Sequence, residues 1–283
     1  MMDLYILDSY SLMYTSFFAG GYTGLTSPSG EPTYGTFIFT KTILRILDTY
    51  LPDMICCAVD GPDKTFRKKM YPEYKNNRKK EKPQDLFVQV DRMKQILEAM
   101  GFPIYYAPGF EADDVIATIV KRADPSFLIT ICTKDKDLLQ LTDEGNRINI
   151  LDPYKNTRMY VEEVKKKYNI EASQFVDYLG LIGDSSDNIP GIKGVGPKTA
   201  VKFLNKHKTG DKIFENLCEQ KNLSNAELKI LKGYDDFVLS RSLATLKDDI
   251  DMKIDFDGMK RKPLKWDKLD PIFEELGFDS LLT

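Results

Sequence analysis

The chain has 283 residues, with 40 Lys and Arg against 43 Asp and Glu, one His and a net charge of −3. This balance speaks at face value against a nucleic-acid binder, whose domain is expected to be basic, while 42% hydrophobic and 29% charged residues are ordinary for a globular protein. No run approaches the roughly 18 apolar residues of a membrane span, and the start Met1-Met2-Asp3-Leu4 lacks both parts of a signal peptide. The cysteines Cys56, Cys57, Cys132 and Cys218 form no Cys-x-x-Cys pair and His207 stands alone, which excludes a Cys/His zinc site and a disulfide scaffold. A reducing cytoplasm is the expected location, with no membrane partner, and any metal must be held by oxygen.

In chain order, residues 4–7 read as a buried strand ending at Asp8, 33–50 as a helix, and 54–59 as a second strand ending at Asp60. A helix follows over 83–100, a third strand over 103–107 and a helix over 112–122. A fourth strand over 127–132 leads to Asp135, and a fifth is read over 147–151. Strands alternating with helices argue for an α/β fold with a mostly parallel central sheet. Sites in such sheets form outside the carboxyl ends of the strands, where Asp8, Asp60 and Asp135 all fall. Beyond residue 161 the chain reads as helical, over 161–168, 172–182, 198–205, 212–219 and 225–231, with a strand run at 252–256 and a last helix through 271–276 stopped by Gly277. The expected division is a core over residues 1–170, containing a basic segment at about 64–100, and a helical region with a tail over 171–283.

The charge is unevenly spread. Residues 64–82 hold nine basic side chains (Lys64, Arg67, Lys68, Lys69, Lys75, Arg78, Lys79, Lys80, Lys82) and two acidic ones, a local +7 that leaves −10 elsewhere. Phe66, Tyr71 and Tyr74 are interleaved among them and suit base stacking. A charge run alone is more often a solvated face. A second basic stretch, 191–210, has five lysines and no acid, and Lys198, Lys202 and Lys206 fall on one helix face at i, i+4, i+8. It opens with Gly191-Ile192-Lys193-Gly194-Val195-Gly196-Pro197, a tight turn into a helix N-terminus, which is a phosphate-binding arrangement. It is not a Walker A loop, because Pro197 intervenes between the last Gly and Lys198 and no strand precedes it.

The carboxylate groups each have a plain reading alone. Glu111-Ala112-Asp113-Asp114 opens a helix and suits capping; Asp135-Lys136-Asp137 suits a turn; the run 183–188 suits an Asx turn. Together, Asp8, Asp60, Glu111, Asp113, Asp114, Asp135, Asp137, Asp184 and Asp187 make nine acids, most of them at one end of the expected sheet. Such a cleft repels itself and calls for hard divalent cations, Mg²⁺ or Mn²⁺. Two ions about 4 Å apart would clamp a scissile phosphate and activate a water.

These residues match a known pattern. Leu7-Asp8-Ser9, Phe66-Arg67, Tyr71-Pro72-Glu73-Tyr74-Lys75 with Asn77-Arg78, Glu111-Ala112-Asp113-Asp114, the runs 133–141 and 183–191, and Gly194-Val195-Gly196 with Lys198-Thr199-Ala200 follow one another in the order of the 5′-nuclease or flap-endonuclease family. The chain most resembles the N-terminal 5′→3′ exonuclease domain of bacterial DNA polymerase I and its stand-alone relatives, and the tail 273–282 is similar too. Lys134 departs from the pattern, standing where relatives often have Gly.

The resemblance implies a PIN-like nuclease core with a helical arch and a helix-three-turn-helix region. It implies Asp8, Asp60, Glu111 and Asp113 around a first metal with Asp114 in support, and Asp135, Asp137, Asp184 and Asp187 at a second. Lys75 and Arg78 would act on the scissile phosphate from the arch, Tyr74 would stack on a base, and Arg67 and Lys68 would bind the 5′ strand. Lys193, Gly194, Val195, Gly196, Lys198, Thr199 and Lys202 would hold duplex DNA, with a K⁺ ion. The implied reaction is two-metal hydrolysis near DNA 5′ ends, nicks or flap junctions, leaving a 5′-phosphate, in replication and repair. RNA primers are a further implied substrate, and the expected state is monomeric.

A catalytically weak structure-binding paralogue is the main alternative. A short RNA-cleaving nuclease would lack the basic segment and the turn, and an aspartyl phosphatase would need an Asp-x-Asp after the first strand, where Asp8-Ser9-Tyr10 stands. Two bound Mg²⁺ ions would bring the net charge to about +1, so the acidic total is compatible with a DNA enzyme.

Overall fold

The computed structural model describes residues 2–19, 24–78 and 83–283. In chain order the elements are β1 (Asp3–Asp8), α1 (Ser9–Ala19), α2 (Tyr34–Tyr50), β2 (Met54–Ala58), α3 (Phe66–Met70), α4 (Gln84–Met100), β3 (Ile104–Tyr105), α5 (Ala112–Arg122), β4 (Leu128–Cys132), β5 (Ile148–Asp152) and β6 (Thr157–Met159). The second half is helical: α6 (Val161–Tyr168), α7 (Phe175–Ile182), α8 (Pro197–His207), α9 (Gly210–Cys218), α10 (Asn225–Lys232), α11 (Tyr234–Ala244) and α12 (Trp266–Leu276).

The six strands form one sheet in the order β3-β2-β1-β4-β5-β6, parallel except for the β5–β6 pair. Successive side chains of a strand face opposite sides, and β1 shows why its sequence is apolar without alternation. Leu4 and Ile6 enter one core with α5 and the C-terminal helices, while Tyr5 and Leu7 enter a second core with α1, α2, α4 and α12. A strand covered on both faces reads as one hydrophobic run. The chain moves from β1 to β2 and β3 on one side and returns to β4 and β5 on the other. The crevice between the carboxyl ends of β1 and β4 is therefore the switch point at which such sheets place their sites.

One expected strand is absent, and three elements go beyond the expected set. The run 252–256 forms no strand, because side chains take its backbone: Arg122 Nη1 donates to Met252 O (2.8 Å) and the Tyr105 hydroxyl to Asp255 O (3.1 Å). Helices α1 and α11 and strand β6 were not foreseen. Helix α11 hides because its buried stripe of Phe237, Ser240, Leu243 and Ala244 includes a serine, whose hydroxyl accepts the Gly191 N–H at 2.9 Å. Within the segment 64–100, the short α3 is followed by turns over 72–78 and α4 begins at Gln84, while Lys79, Lys80, Glu81 and Lys82 lie outside the described residues. No described helix is long and apolar enough to cross a membrane.

Candidate active site

Asp8 ends β1, and its neighbour in the sheet, β4, ends one residue before Thr133. The Thr133 hydroxyl donates to Asp8 Oδ2 (2.6 Å) and the Ser11 N–H to Oδ1 (3.3 Å), so the first turn of α1 and the β4 loop both hold this carboxylate. Burial, with the charges of Asp135 and Asp60 adding to it, pushes Asp8 up to about 7 despite the Thr133 hydrogen bond. Asp60, two residues beyond β2, accepts the Ala112 N–H through Oδ1 at 2.9 Å and thereby fixes the start of α5.

Helix α5 presents Glu111 at its N-cap and Asp113 and Asp114 in its first turn. Acids here are favoured by the unpaired N–H groups and the helix dipole. Glu111 and Asp113 face the same cleft as Asp8 and Asp60. Partial burial, then the charges of Asp135 and Asp8, raise Asp113 well above the usual carboxylate range. From the loop after β4, Asp135 accepts the Asp137 N–H (2.9 Å), and burial raises it as well. Burial and the Asp135 charge push Asp137 up to about 7, and its buried Oδ1 has no hydrogen-bond partner.

Asp184 and Asp187 arrive on the loop after α7. Asp184 and Ile189 exchange two backbone hydrogen bonds (2.9 and 2.8 Å), closing the loop. At its neck a Cβ on Gly183 would meet Ile189 O at 2.4 Å, and one on Gly191 would meet Ile182 C at 2.3 Å. Both glycines also have positive φ, 74° and 62°, so larger residues are excluded by crowding and by backbone conformation alike. Burial works to raise Asp184, but hydrogen bonds from Lys136 and Ser186 outweigh it and hold the carboxyl below its ordinary value.

The basic segment meets these acids directly. Lys75 Nζ lies 2.7 Å from Glu111 Oε1 and 3.5 Å from Asp187 Oδ2. Burial opposes its charge, but Glu111 and Asp187 outweigh this and raise its pKa, so it stays protonated. Lys75 holds a left-handed backbone (φ 57°), and its N–H donates to Asp187 O at 2.8 Å. Arg78 Nη2 donates to Asp187 Oδ1 (2.6 Å) with its side chain 54% exposed at the cleft mouth. The cleft encloses about 810 Å³ and is lined by Asp8, Asp60, Lys75, Arg78, Glu111, Asp113, Lys134, Asp135 and Lys136, among others.

Two expected roles, those of Arg67 and Tyr74, fail here, and Asp114 is confined to support. Arg67 is 2% exposed and is held in a buried ion pair with Asp114, so it cannot meet a passing strand. Asp114, fully buried behind the cleft, is committed to Arg67 through both oxygens (2.7 Å each) and is not placed to hold a metal. Tyr74 is 4% exposed, with its hydroxyl 2.9 Å from Glu111 Oε2 and 3.1 Å from Asp187 Oδ2, so its ring is not offered to a base. Lys68 is drawn inward, donating to Tyr74 O at 2.7 Å.

Lys136 was missed. Its ammonium donates to Asp184 Oδ2 at 2.5 Å, joining the two acidic loops. Its only signal was its place between two candidate ligands. Thr133 opens the matched run 133–141, but its supporting role had no signal, since a threonine at a strand end is unremarkable until the next strand is known. Lys134 is exposed on the cleft wall, with its N–H donating to Ser11 Oγ at 3.3 Å.

The second basic stretch lies apart. Lys193, Gly194, Lys198 and Lys202 are exposed, and Gly196 and Thr199 are partly so. Val195 is buried and its N–H donates to Ile192 O at 3.0 Å, so it supports the turn and is not open to a phosphate. Pro197 begins α8, so the first N–H groups of that helix have no intrahelical partner.

Among the described residues no group of three acidic, His or Cys side chains closes on one point as a finished metal cage. Lys75, Arg78 and Lys136 lie against the acids instead. The donor set nevertheless fits a hard divalent cation. It is all oxygen, burial and neighbouring acids raise the pKa values of Asp8, Asp113 and Asp137, and Asp137 Oδ1 is buried without a partner.

Comparison with known proteins agrees with this geometry. The family described as "5'-3' exonuclease, N-terminal resolvase-like domain" matches residues 3–169, and "5'-3' exonuclease, C-terminal SAM fold" matches 170–267. A 5'-3' exonuclease of Aquifex aeolicus is 36% identical over 100% of this chain and 94% of its own length. DNA polymerase I of Caldicellulosiruptor bescii is 37% identical over 99% of this chain, which spans 33% of that polymerase. The bacteriophage T5 D15 flap endonuclease, solved as a pseudo-enzyme-product complex with DNA and metal ions, shares the fold at a TM-score of 0.72 and 18% identity, covering 87% of this chain and 89% of its own. An acidic cleft at the switch point of a parallel sheet, two family matches in tandem and a full-length relative all lead to one assignment: the chain belongs to the 5'-3' exonuclease family of nucleases.

Proposed function

We propose that the protein is a structure-specific 5′ nuclease that hydrolyses phosphodiester bonds near DNA 5′ ends, nicks or flap junctions and leaves a 5′-phosphate, in replication and repair. The observation that carries this reading is the cleft itself, where seven acids from five chain segments meet Lys75 and Arg78. Asp8, Asp60, Glu111 and Asp113 would hold one divalent ion, and Asp135, Asp137, Asp184 and Asp187 would serve a second, as Mg²⁺ or Mn²⁺. When bound, the ions supply charge for the scissile phosphate and lower the pKa of a water.

The residues of the chain divide the remaining work. Lys75 and Arg78 now lie on Glu111 and Asp187. Once metal charge replaces theirs at those carboxylates, both cations are available to the phosphate. Lys136 stands in the same relation to Asp184. The turn with Lys193, Gly194 and Gly196, together with Lys198, Thr199 and Lys202 of α8, would hold duplex backbone with a K⁺ ion. Two working parts follow, a cleaving part over 1–170 and a duplex-holding part over 171–283. The protein would work as a monomer in the cytoplasm, on flaps, nicks and RNA-primed ends.

The test is product mapping on 5′-labelled flap and nicked duplexes with Mg²⁺ and then with chelator. Cleavage near the junction, lost with chelator and yielding 5′-phosphate ends, is expected. Cleavage indifferent to chelator, or 5′-hydroxyl products, would refute the mechanism.

A further inference from the structure

A guanidinium has five N–H donors, and in Arg67 all five are used inside the protein. Nε donates to Leu243 O (2.7 Å), Nη1 to Asp114 Oδ2 (2.7 Å) and Glu111 Oε2 (3.2 Å), and Nη2 to Asp114 Oδ1 (2.7 Å) and Thr245 O (3.0 Å). The Phe66 ring covers the group, with its centroid 4.6 Å away. Asp114 extends the network: Oδ1 also accepts the Lys247 N–H (2.8 Å) and Oδ2 the Glu111 N–H (3.2 Å). One buried pair thus fastens three pieces of chain, namely α3, the start of α5 and the segment leaving α11.

The planar fork decides the geometry. Two parallel bonds to Asp114 fix the plane of the guanidinium, and in that plane its other hydrogens reach Glu111 and the two carbonyls. Glu111 is consequently held by one side. Its Oε2 accepts from Arg67 and Tyr74, while Oε1 meets Lys75, which lines the cleft. Asp114 matches the charge of Arg67, which leaves the charge of Glu111 for the cleft.

We propose that Arg67 is a positioning residue: through its ion pair with Asp114 it fastens Glu111 to residues 243–247, so that the seat of the C-terminal helices on the core sets the direction of a cleft carboxylate. The inference rests on the two-metal reading of the cleft. Partners of this kind, one shell beyond a metal ligand, typically change metal affinity by about 10–100-fold when removed.

Two variants test it. Arg67→Lys keeps the charge, but a compact ammonium with three donors cannot serve Asp114, Glu111 and two carbonyls together. Arg67→Met with Asp114→Leu removes the pair whole and fills its volume, a change that buried ion pairs often tolerate. Mn²⁺ binding would be measured by calorimetry without DNA, alongside thermal unfolding in chelator. Either folded variant should bind Mn²⁺ about 10–100-fold more weakly. In a Glu111→Gln background Arg67→Lys should change Mn²⁺ affinity no further, which a merely structural residue would not obey. Wild-type Mn²⁺ affinity in a folded variant overturns the proposal. So does failure of both variants to fold, which would make Arg67 a residue of stability alone. Absence of Mn²⁺ binding by the wild-type chain overturns the two-metal reading and this inference with it, whereas normal wild-type binding with unchanged variants removes only the role of Arg67.

Discussion

Replacing Asp8 with Asn should stabilise the metal-free protein while ending its activity. Burial and the neighbouring acids raise Asp8 from an ordinary value of 3.8 to about 7. The folded state therefore binds this proton more tightly than the unfolded chain does. The resulting penalty is absent below about pH 4, grows as pH rises to about 7 and is constant above that. A shift of about three units at 1.36 kcal/mol each gives about 4 kcal/mol at pH 8, about 2 at pH 5 and almost none at pH 3. Asn carries no charge; its Oδ1 can still accept the Ser11 N–H, while its Nδ2 would donate to the Thr133 hydroxyl oxygen, which now donates to Asp8 Oδ2. In urea unfolding with chelator present, Asp8→Asn should thus exceed the wild type by several kcal/mol at pH 8, and the gap should narrow as the pH falls. Added Mg²⁺ should stabilise the wild type far more than the variant. A variant no more stable than the wild type at pH 8, or a gain independent of pH, would refute the account of a strained carboxylate cleft.

Three further outcomes are expected. Asp184→Ala should abolish cleavage while duplex binding persists, because the half-exposed Lys136 it releases can turn to solvent; retained turnover in a metal titration would remove Asp184 from the ligand set. Lys75→Ala should lower single-turnover cleavage at least about tenfold more than duplex affinity, and equal losses in both would mark Lys75 as a general phosphate contact. Reversing the charge of the exposed Lys198, Lys202 and Lys206 face should flatten the salt dependence of duplex binding by about three units of slope or more; an unchanged slope would take that face out of the interface.

The strand-end acids were legible because the β-α alternation is local and each parallel strand ends where its apolar run stops. Helix α6 matches its expected span to the residue and α2 starts one residue late. Strand β3 shrinks to two residues of the expected 103–107, because it pairs only through Ile104 and Tyr105 at an edge of the sheet. Helix α11 was illegible, because its buried Ser240 looks like a surface residue until Gly191 arrives to bond it.

The sequence by itself determined the class of the sheet, the position of the acids at its carboxyl end, the family and the absence of any nitrogen or sulfur ligand set. The first two depend on local periodicity, the family on the resemblance its motifs carry and the last on residue type, none of which folding alters. Only the tertiary structure decided which charges face solvent. Arg67 and Lys75 sit in one basic run eight residues apart. One is sealed behind the cleft on Asp114, and the other stands inside it on Glu111. A charge run carries no record of direction. Direction is set by partners 36 to 178 residues away, because a buried cation is tolerated only where distant carboxylates and carbonyls converge to meet it.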